Sequence, residues 1–322
     1  MNVGIIGAGH IAGKIARTLD QTDGINCLAV GSRTLDKAKS FAEEFGIPKA
    51  YGSYSELLDD PDIDLVYIAT PHSHHFEPAM EAIGKGKACL VEKAFMANAR
   101  ETKAVLEKAK EKGVFVAEAI WTRYQPARDI INRLISYGRI GRVCQISATL
   151  SHRVTHLPRI IRPELCGGTL LDIGIYPLNF VRMVCDNPIE KIGSQCVLSD
   201  LGVDISETIS LTLEGGVLAT IHSSVCCEGH NTATVSGTEG CIVVDNTNNP
   251  GLIRLYSKGG RLQEEIAVPE SISGYEYEFF ACKDAMEKGL IEPPRMPHSE
   301  TLYLMELMDS LRKGWGVHYP MD

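Results

Sequence analysis

Over the first 120 residues, short apolar runs alternate with stretches whose apolar positions recur at helical spacing. Residues 2–6 (Asn-Val-Gly-Ile-Ile) read as a strand, and Ile15, Ala16 and Leu19 then fall on one face of a helix. A second strand is expected at 26–31, a helix at 36–45 stopped by Gly46, and a short helix from 55 to 58. Residues 65–69 are wholly apolar. Further helices are predicted at 76–83 and 100–112, ending at Gly84 and Gly113, and further strands at 88–91 and 114–118. Strict β/α alternation with fully apolar strands predicts an α/β domain built on a doubly wound parallel sheet.

Near residue 121 the period changes. A helix is expected at 126–136, followed by strands at 143–150, 190–198, 207–213, 217–224, 232–236, 241–245 and 252–257. Short turns such as Glu214-Gly215-Gly216 suit antiparallel hairpins. A helix near 168–184 interrupts the strands, and helices near 275–288 and 298–313 close the chain. The expectation is two domains, 1–120 and 121–322, the second an α+β domain with an open, mainly antiparallel sheet.

Composition narrows the function classes. The 322 residues are 44% apolar, enough for two cored domains. A net charge of −9 argues against a nucleic-acid surface. No apolar run approaches a membrane span, and a strand stands where the basic segment of a signal peptide would be. The ten cysteines are scattered, with Cys226-Cys227 the only adjacent pair and no C-x-x-C. They read as reduced thiols of a cytoplasmic protein, and no zinc-like ligand spacing is present.

Candidate chemistry begins at the first strand–helix junction, Gly7-Ala8-Gly9-His10-Ile11-Ala12. Gly7 permits a tight turn, Gly9 lets backbone approach a pyrophosphate, and Ala12 allows close helix packing. The helix N-terminus after His10 and Ile11 offers free N–H groups to the phosphates. This predicts a Rossmann dinucleotide site. The second strand ends in Ser32-Arg33, where an acidic residue would select NAD; Lys37 follows one turn later. A guanidinium there can hold a 2′-phosphate, so NADP is favoured, with NAD possible. Thr70-Pro71-His72-Ser73-His74-His75 follows an apolar strand, at the edge where ligands bind. Without a carboxylate or cysteine at suitable spacing, these histidines do not read as a metal site. Glu92-Lys93 sits at the same edge, and Lys93 is a candidate proton-transfer group. In Gly167-Gly168-Thr169-Leu170-Leu171-Asp172-Ile173-Gly174-Ile175-Tyr176, Asp172 and Tyr176 are four apart and share a helix face. A lysine beside a tyrosine lowers the phenol's pKa from about 10 toward the working pH, giving an acid–base unit.

Together these motifs resemble the glucose–fructose oxidoreductase/inositol dehydrogenase (Gfo/Idh/MocA) family over essentially the whole chain. Within it the chain is most similar to the dihydrodiol dehydrogenase and D-xylose dehydrogenase branch. Glu118-Ala119-Ile120-Trp121-Thr122-Arg123-Tyr124 and Met296-Pro297-His298-Ser299-Glu300-Thr301 add to the likeness. The resemblance implies an NAD(P)-dependent oxidoreductase acting on a secondary alcohol or ketone of a sugar or cyclic diol. It assigns Lys93 and Tyr176 as the catalytic pair with Asp172 in support. Cofactor contacts are implied for the glycine turn, for Ser32, Arg33 and Lys37, and for Thr70, Pro71, His72, His75 and Glu92. Trp121 and Arg123 are placed near the nicotinamide, and Arg159 is an arginine that reaches the cofactor. A homodimer or larger homo-oligomer through the C-terminal sheet is also implied. Ala94 replaces the family's usual proline after the lysine, and Cys166 replaces a common glycine. An alternative on the same fold is a non-catalytic, NAD(P)-sensing regulatory protein.

Overall fold

The computed structural model describes residues 1–322. In chain order its first strands and helices are β1 (Asn2–Ile6), α1 (His10–Asp20), β2 (Asn26–Gly31), α2 (Leu35–Phe45), β3 (Lys49–Tyr51) and α3 (Tyr54–Leu58). They are followed by β4 (Leu65–Ile68), α4 (Phe76–Gly84), β5 (Ala88–Glu92), α5 (Ala99–Lys112) and β6 (Val116–Ala119). The six strands form a parallel sheet in the order β3-β2-β1-β4-β5-β6. The order reverses between β1 and β4, and that switch point opens a crevice at the carboxyl edge.

Strand residues Val3, Ile5, Ile6, Leu65, Val66, Ile68, Leu90 and Val91 are completely buried. Burial of each such side chain is worth about 1.5–3 kcal/mol, which is why these short apolar runs become central strands. In α1 the buried positions Ala12, Ile15, Ala16 and Leu19 recur at helical spacing, while Lys14 and Arg17 face solvent. The side chain of Asn98 caps α5 by accepting from Glu101 N at 2.9 Å, and left-handed Gly113 ends that helix.

The second sheet follows α6 (Pro126–Ser136). Its strands are β7 (Val143–Ser151), β8 (Ile189–Leu198), β9 (Asp204–Leu213), β10 (Val217–Ser224), β11 (Ala233–Gly237), β12 (Gly240–Val244), β13 (Leu252–Ser257) and β14 (Leu262–Ala267). Their order is β14-β13-β12-β11-β7-β10-β9-β8, antiparallel throughout except for the β7–β10 pair. Between β7 and β8 run α7 (Pro158–Ile161), a π-helical turn at Leu170–Gly174 and α8 (Ile175–Val184). α9 (Glu276–Glu287) and α10 (His298–Trp315) complete the chain.

Two compact units emerge, and the first is not contiguous. It comprises Met1–Trp121, Ser271–Glu306 and Met321–Asp322; the second comprises Thr122–Glu270 and Leu307–Pro320. A linear division after residue 120 therefore omits a stretch of the first unit. Residues 271–306 join it because β6 is an edge strand whose backbone they occupy. Val116 N donates to Ile291 O at 3.0 Å, and His298 Nε2 lies 2.8 Å from Val116 O. The Tyr67 and Phe279 rings meet in the same unit, 5.6 Å apart. All ten cysteines are free thiols. No helix is long and apolar enough to cross a membrane.

Candidate active site

In the first unit the glycine turn has the shape that a dinucleotide needs. Gly7 adopts φ +102°, and a Cβ there would stand 2.9 Å from the Ala69 carbonyl oxygen, so only glycine fits. A Cβ on Gly9 would meet nothing within 4 Å, which leaves the backbone open on that side. No side chain caps the start of α1, so its first N–H groups remain free for phosphate oxygens. His10 is exposed and Ile11 half-buried at that helix start. Past β2, Ser32 is buried and donates its N–H to Tyr51 O at 3.1 Å, while Arg33 and Lys37 are exposed. Burial raises the Tyr54 phenol, and the nearby Arg33 charge pulls it back.

The histidine loop braces the segment that carries Lys93. His72 Nε2 lies 3.1 Å from the Lys93 carbonyl oxygen. His75 Nε2 is 2.7 Å from Thr70 O, and its Nδ1 is 3.1 Å from both Ala94 O and Phe95 O. His75 has no exposed surface, and its ring holds backbone on both sides. Burial also depresses its pKa below the usual histidine value. Thr70 Oγ1 donates to His74 O at 2.9 Å, and Pro71 is exposed beside it. The Lys93–Ala94 peptide bond is cis. No group of three or more His, Cys, Asp or Glu side chains is arranged to hold a metal ion.

Glu92 is buried, accepting from the Tyr67 hydroxyl on one carboxylate oxygen and from Lys93 N at 3.1 Å on the other. Glu278, from the returning segment, is fully buried, and desolvation followed by the Glu92 charge holds its carboxyl well above the usual range. Trp121 stacks on Tyr275, with centroids 4.3 Å apart and planes within 7°. Lys14 Nζ stands 5.5 Å from the Tyr275 ring. Tyr67, Tyr275 and Glu278 were not expected at the site. Tyr67, the one polar-tipped residue in an all-apolar strand, carried a signal; Glu278, on a mixed helix, carried none.

In the second unit, Asp172, Tyr176 and Asn179 follow at spacings of four and three, and all three are buried. The expected helix near 168–184 is present, and its first part is a wide π-turn leading into α8. Pro177 accounts for the difference: it lacks an N–H, and its ring crowds the carbonyl four residues back, at Ile173. Asp172 pairs with Arg159, which is half exposed. Arg123 is buried, and its Nε donates to Asn179 Oδ1 at 2.5 Å; Asn179 Nδ2 in turn donates to Thr122 Oγ1 at 2.9 Å. Asn179 was missed, although its spacing from Tyr176 was visible. Lys93 belongs to the first unit, and Asp172 and Tyr176 to the second.

Comparison with known proteins matches residues 1–119 to the Gfo/Idh/MocA model described as an oxidoreductase family with an NAD-binding Rossmann fold. Residues 130–243 match the Gfo/Idh/MocA C-terminal domain. The chain is 34% identical to the mouse trans-1,2-dihydrobenzene-1,2-diol dehydrogenase, covering 99% of this chain and 98% of that protein. It is 36% identical to the zebrafish (Danio rerio) protein of the same name, covering 92% and 90%. Among solved structures it is similar to a 3-ketoreductase from Actinomadura kijaniata in complex with NADP and TDP-benzene. There the TM-score is 0.88 at 24% identity, over 98% of this chain and 97% of that one. A levoglucosan dehydrogenase in complex with NADH and L-sorbose gives a TM-score of 0.88 at 18% identity, with 99% of each chain covered. The chain belongs to the Gfo/Idh/MocA family of oxidoreductases, and its N-terminal region is that family's NAD-binding Rossmann domain.

Proposed function

We propose that the protein interconverts a secondary alcohol and a ketone on a sugar or cyclic diol, with NADP as the preferred cofactor. The observation that carries the reading is Asp172 and Tyr176 together on one buried helical face. They stand in a chain related over its full length to dihydrodiol dehydrogenases. The open backbone at Gly9 and the uncapped start of α1 fit a pyrophosphate, and the cations Arg33 and Lys37 beyond β2 suit a 2′-phosphate.

When bound, the nicotinamide supplies the hydride chemistry. The side chains supply orientation and proton transfer. In the oxidative direction the Tyr176 phenolate takes the proton of the substrate hydroxyl and becomes the phenol; in the reductive direction the phenol gives that proton back. The Lys93 ammonium favours the phenolate, and Asp172, held by Arg159, orients the reacting hydroxyl. The exposed apolar residues Val197, Leu218 and Leu262 on the second sheet suit burial in a homo-oligomer.

The test is a panel of aldoses, polyols and cyclic diols assayed with NADP and NAD side by side, for wild type and Tyr176→Phe. Wild type is expected to turn over at least one class. Tyr176→Phe should lower kcat by about 10²–10⁴-fold while leaving cofactor Kd unchanged. Full turnover by Tyr176→Phe would remove the phenol from the mechanism. Cofactor binding with no turnover on any panel member would favour the sensing protein instead.

A further inference from the structure

Beneath the π-turn that carries Asp172 lie two buried carboxyl groups with no part in the chemistry described so far. Asp204, at the start of β9, is completely buried, and its Oδ2 accepts from Leu170 N at 2.7 Å. Glu207, three residues on, is 3% exposed, and neither of its carboxylate oxygens meets a hydrogen-bond partner. Its cross-strand neighbours are Ser223 on β10 and Cys196 on β8. Ser223 holds the Glu207 carboxyl down slightly without reaching good hydrogen-bond geometry. Burial and then the Asp204 charge push the Glu207 carboxyl well above the usual range.

The glycines of the turn are cut to these two acids. Gly174 has φ −63° and ψ −28°, a helical conformation open to any residue. Conformation therefore does not require glycine there; space does. A Cβ on Gly174 would lie 2.0 Å from Glu207 Oε1 and 3.0 Å from its Cδ. At Gly168 both operate: its φ of +132° favours glycine, and a Cβ there would lie 2.4 Å from Asp204 Oδ1. One acid thus packs against each end of the Gly168–Gly174 stretch, and that stretch delivers Asp172 and leads directly into Tyr176.

We propose that Glu207 is a positioning residue which, with Asp204, forms the floor of the Leu170–Gly174 turn and sets the placement of Asp172 and Tyr176. The proposal rests on the acid–base role assigned above to Tyr176. The flat carboxyl group fills the space that Gly174 leaves and can be replaced only by a group of the same shape.

The experiment compares Glu207→Ala, Glu207→Gln, Gly174→Ala and the double variant Gly174→Ala/Glu207→Ala with wild type. Glu207→Ala should lower kcat at least tenfold, because a small displacement of reacting groups is costly, while KM and cofactor Kd stay within about twofold. Glu207→Gln, equal in shape and uncharged, should restore kcat. Gly174→Ala should be damaging alone and much less so once the Glu207 side chain is removed, in kcat and in Tm alike. Unchanged kcat in Glu207→Ala would overturn the proposal. So would loss shared equally by KM and cofactor Kd, or a Gly174→Ala defect indifferent to residue 207. The Tyr176 phenol titration, read as the ultraviolet difference from Tyr176→Phe protein, separates this idea from the proposed reaction. If it moves in Glu207→Ala and returns in Glu207→Gln while no panel substrate reacts, the positioning stands and the reaction class falls. If it does not move, the positioning falls whatever the substrate.

Discussion

Arg33 stands exposed one residue beyond the buried Ser32, at the place where a Rossmann sheet reads the adenosine ribose. With Lys37 it gives this corner two cations, against the single carboxylate of Asp36 in the first turn of α2. If NADP is preferred as proposed, reversing one sign should shift the balance toward NAD. Arg33→Asp is expected to move the NADP:NAD ratio of kcat/KM toward NAD by about 10–100-fold, mostly through the KM for NADP; paired steady-state assays with the two cofactors measure it. That corner was legible because the spacing from the glycine turn to the end of the second strand is a property of the chain alone. The buried acids were not. Glu207 alternates with Ile209 and Leu211 on one face of β9, and Glu278 sits beside Phe279, yet a charged side chain reads as exposed until its surroundings are seen. The Asp172–Tyr176 spacing points to a shared helix face, while Asn179, three residues on, is a single polar residue with no motif around it to mark it.

At the scale of elements, apolar content decided what could be foreseen. The wholly buried strands β1, β4 and β5 stood out as apolar runs. β3, with three half-buried residues, and β14, with Glu264 and Glu265 exposed at its centre, had no such run. β3 is a strand because β2 offers it a ladder, and β14 because β13 does. These are tertiary causes that no local window contains. The β1–α1 junction is the reverse case, since its geometry is written in Gly7. Gly7→Ala places a Cβ at φ +102° against the Ala69 carbonyl. The expected outcome is at least a tenfold rise in cofactor Kd by titration calorimetry, with about 1–3 kcal/mol of lost stability in denaturant melts.

For the whole molecule, the buried acid at the base of the second unit sets a pH signature. Burial pushes the Asp204 carboxyl up to about 6, from an ordinary value of 3.8, with backbone N–H groups, Leu170 first, and then the Arg312 charge opposing only in part. A raised carboxyl pKa means that the folded state takes up a proton before the unfolded state does. Asp204 therefore costs stability above about pH 6, and the penalty is relieved as pH falls toward 4. Between pH 7 and pH 5 the relief is about 1 kcal/mol. Asp204→Asn keeps an acceptor for Leu170 N and cannot titrate, so wild type should gain on it by that amount across the interval, as read by urea melts. Comparing the two proteins cancels His75. Its depressed pKa acts in the opposite sense, favouring the fold above about pH 6.5 and withdrawing that support on acidification.

The two-part plan of the chain was visible in the change of period near residue 121; the return of 271–306 to the first unit was not, because nothing local marks a helix as belonging to one core or another. That return has a consequence in time. As the chain leaves the ribosome, all six parallel strands are present once residue 119 has emerged, yet β6 still shows a bare edge. Ile291 and His298, which occupy Val116, are made some 170 residues later, after the entire eight-stranded sheet. The nucleotide-binding half is begun first and finished last, so its nascent form must wait, with one flank uncovered, for nearly the whole protein to be translated.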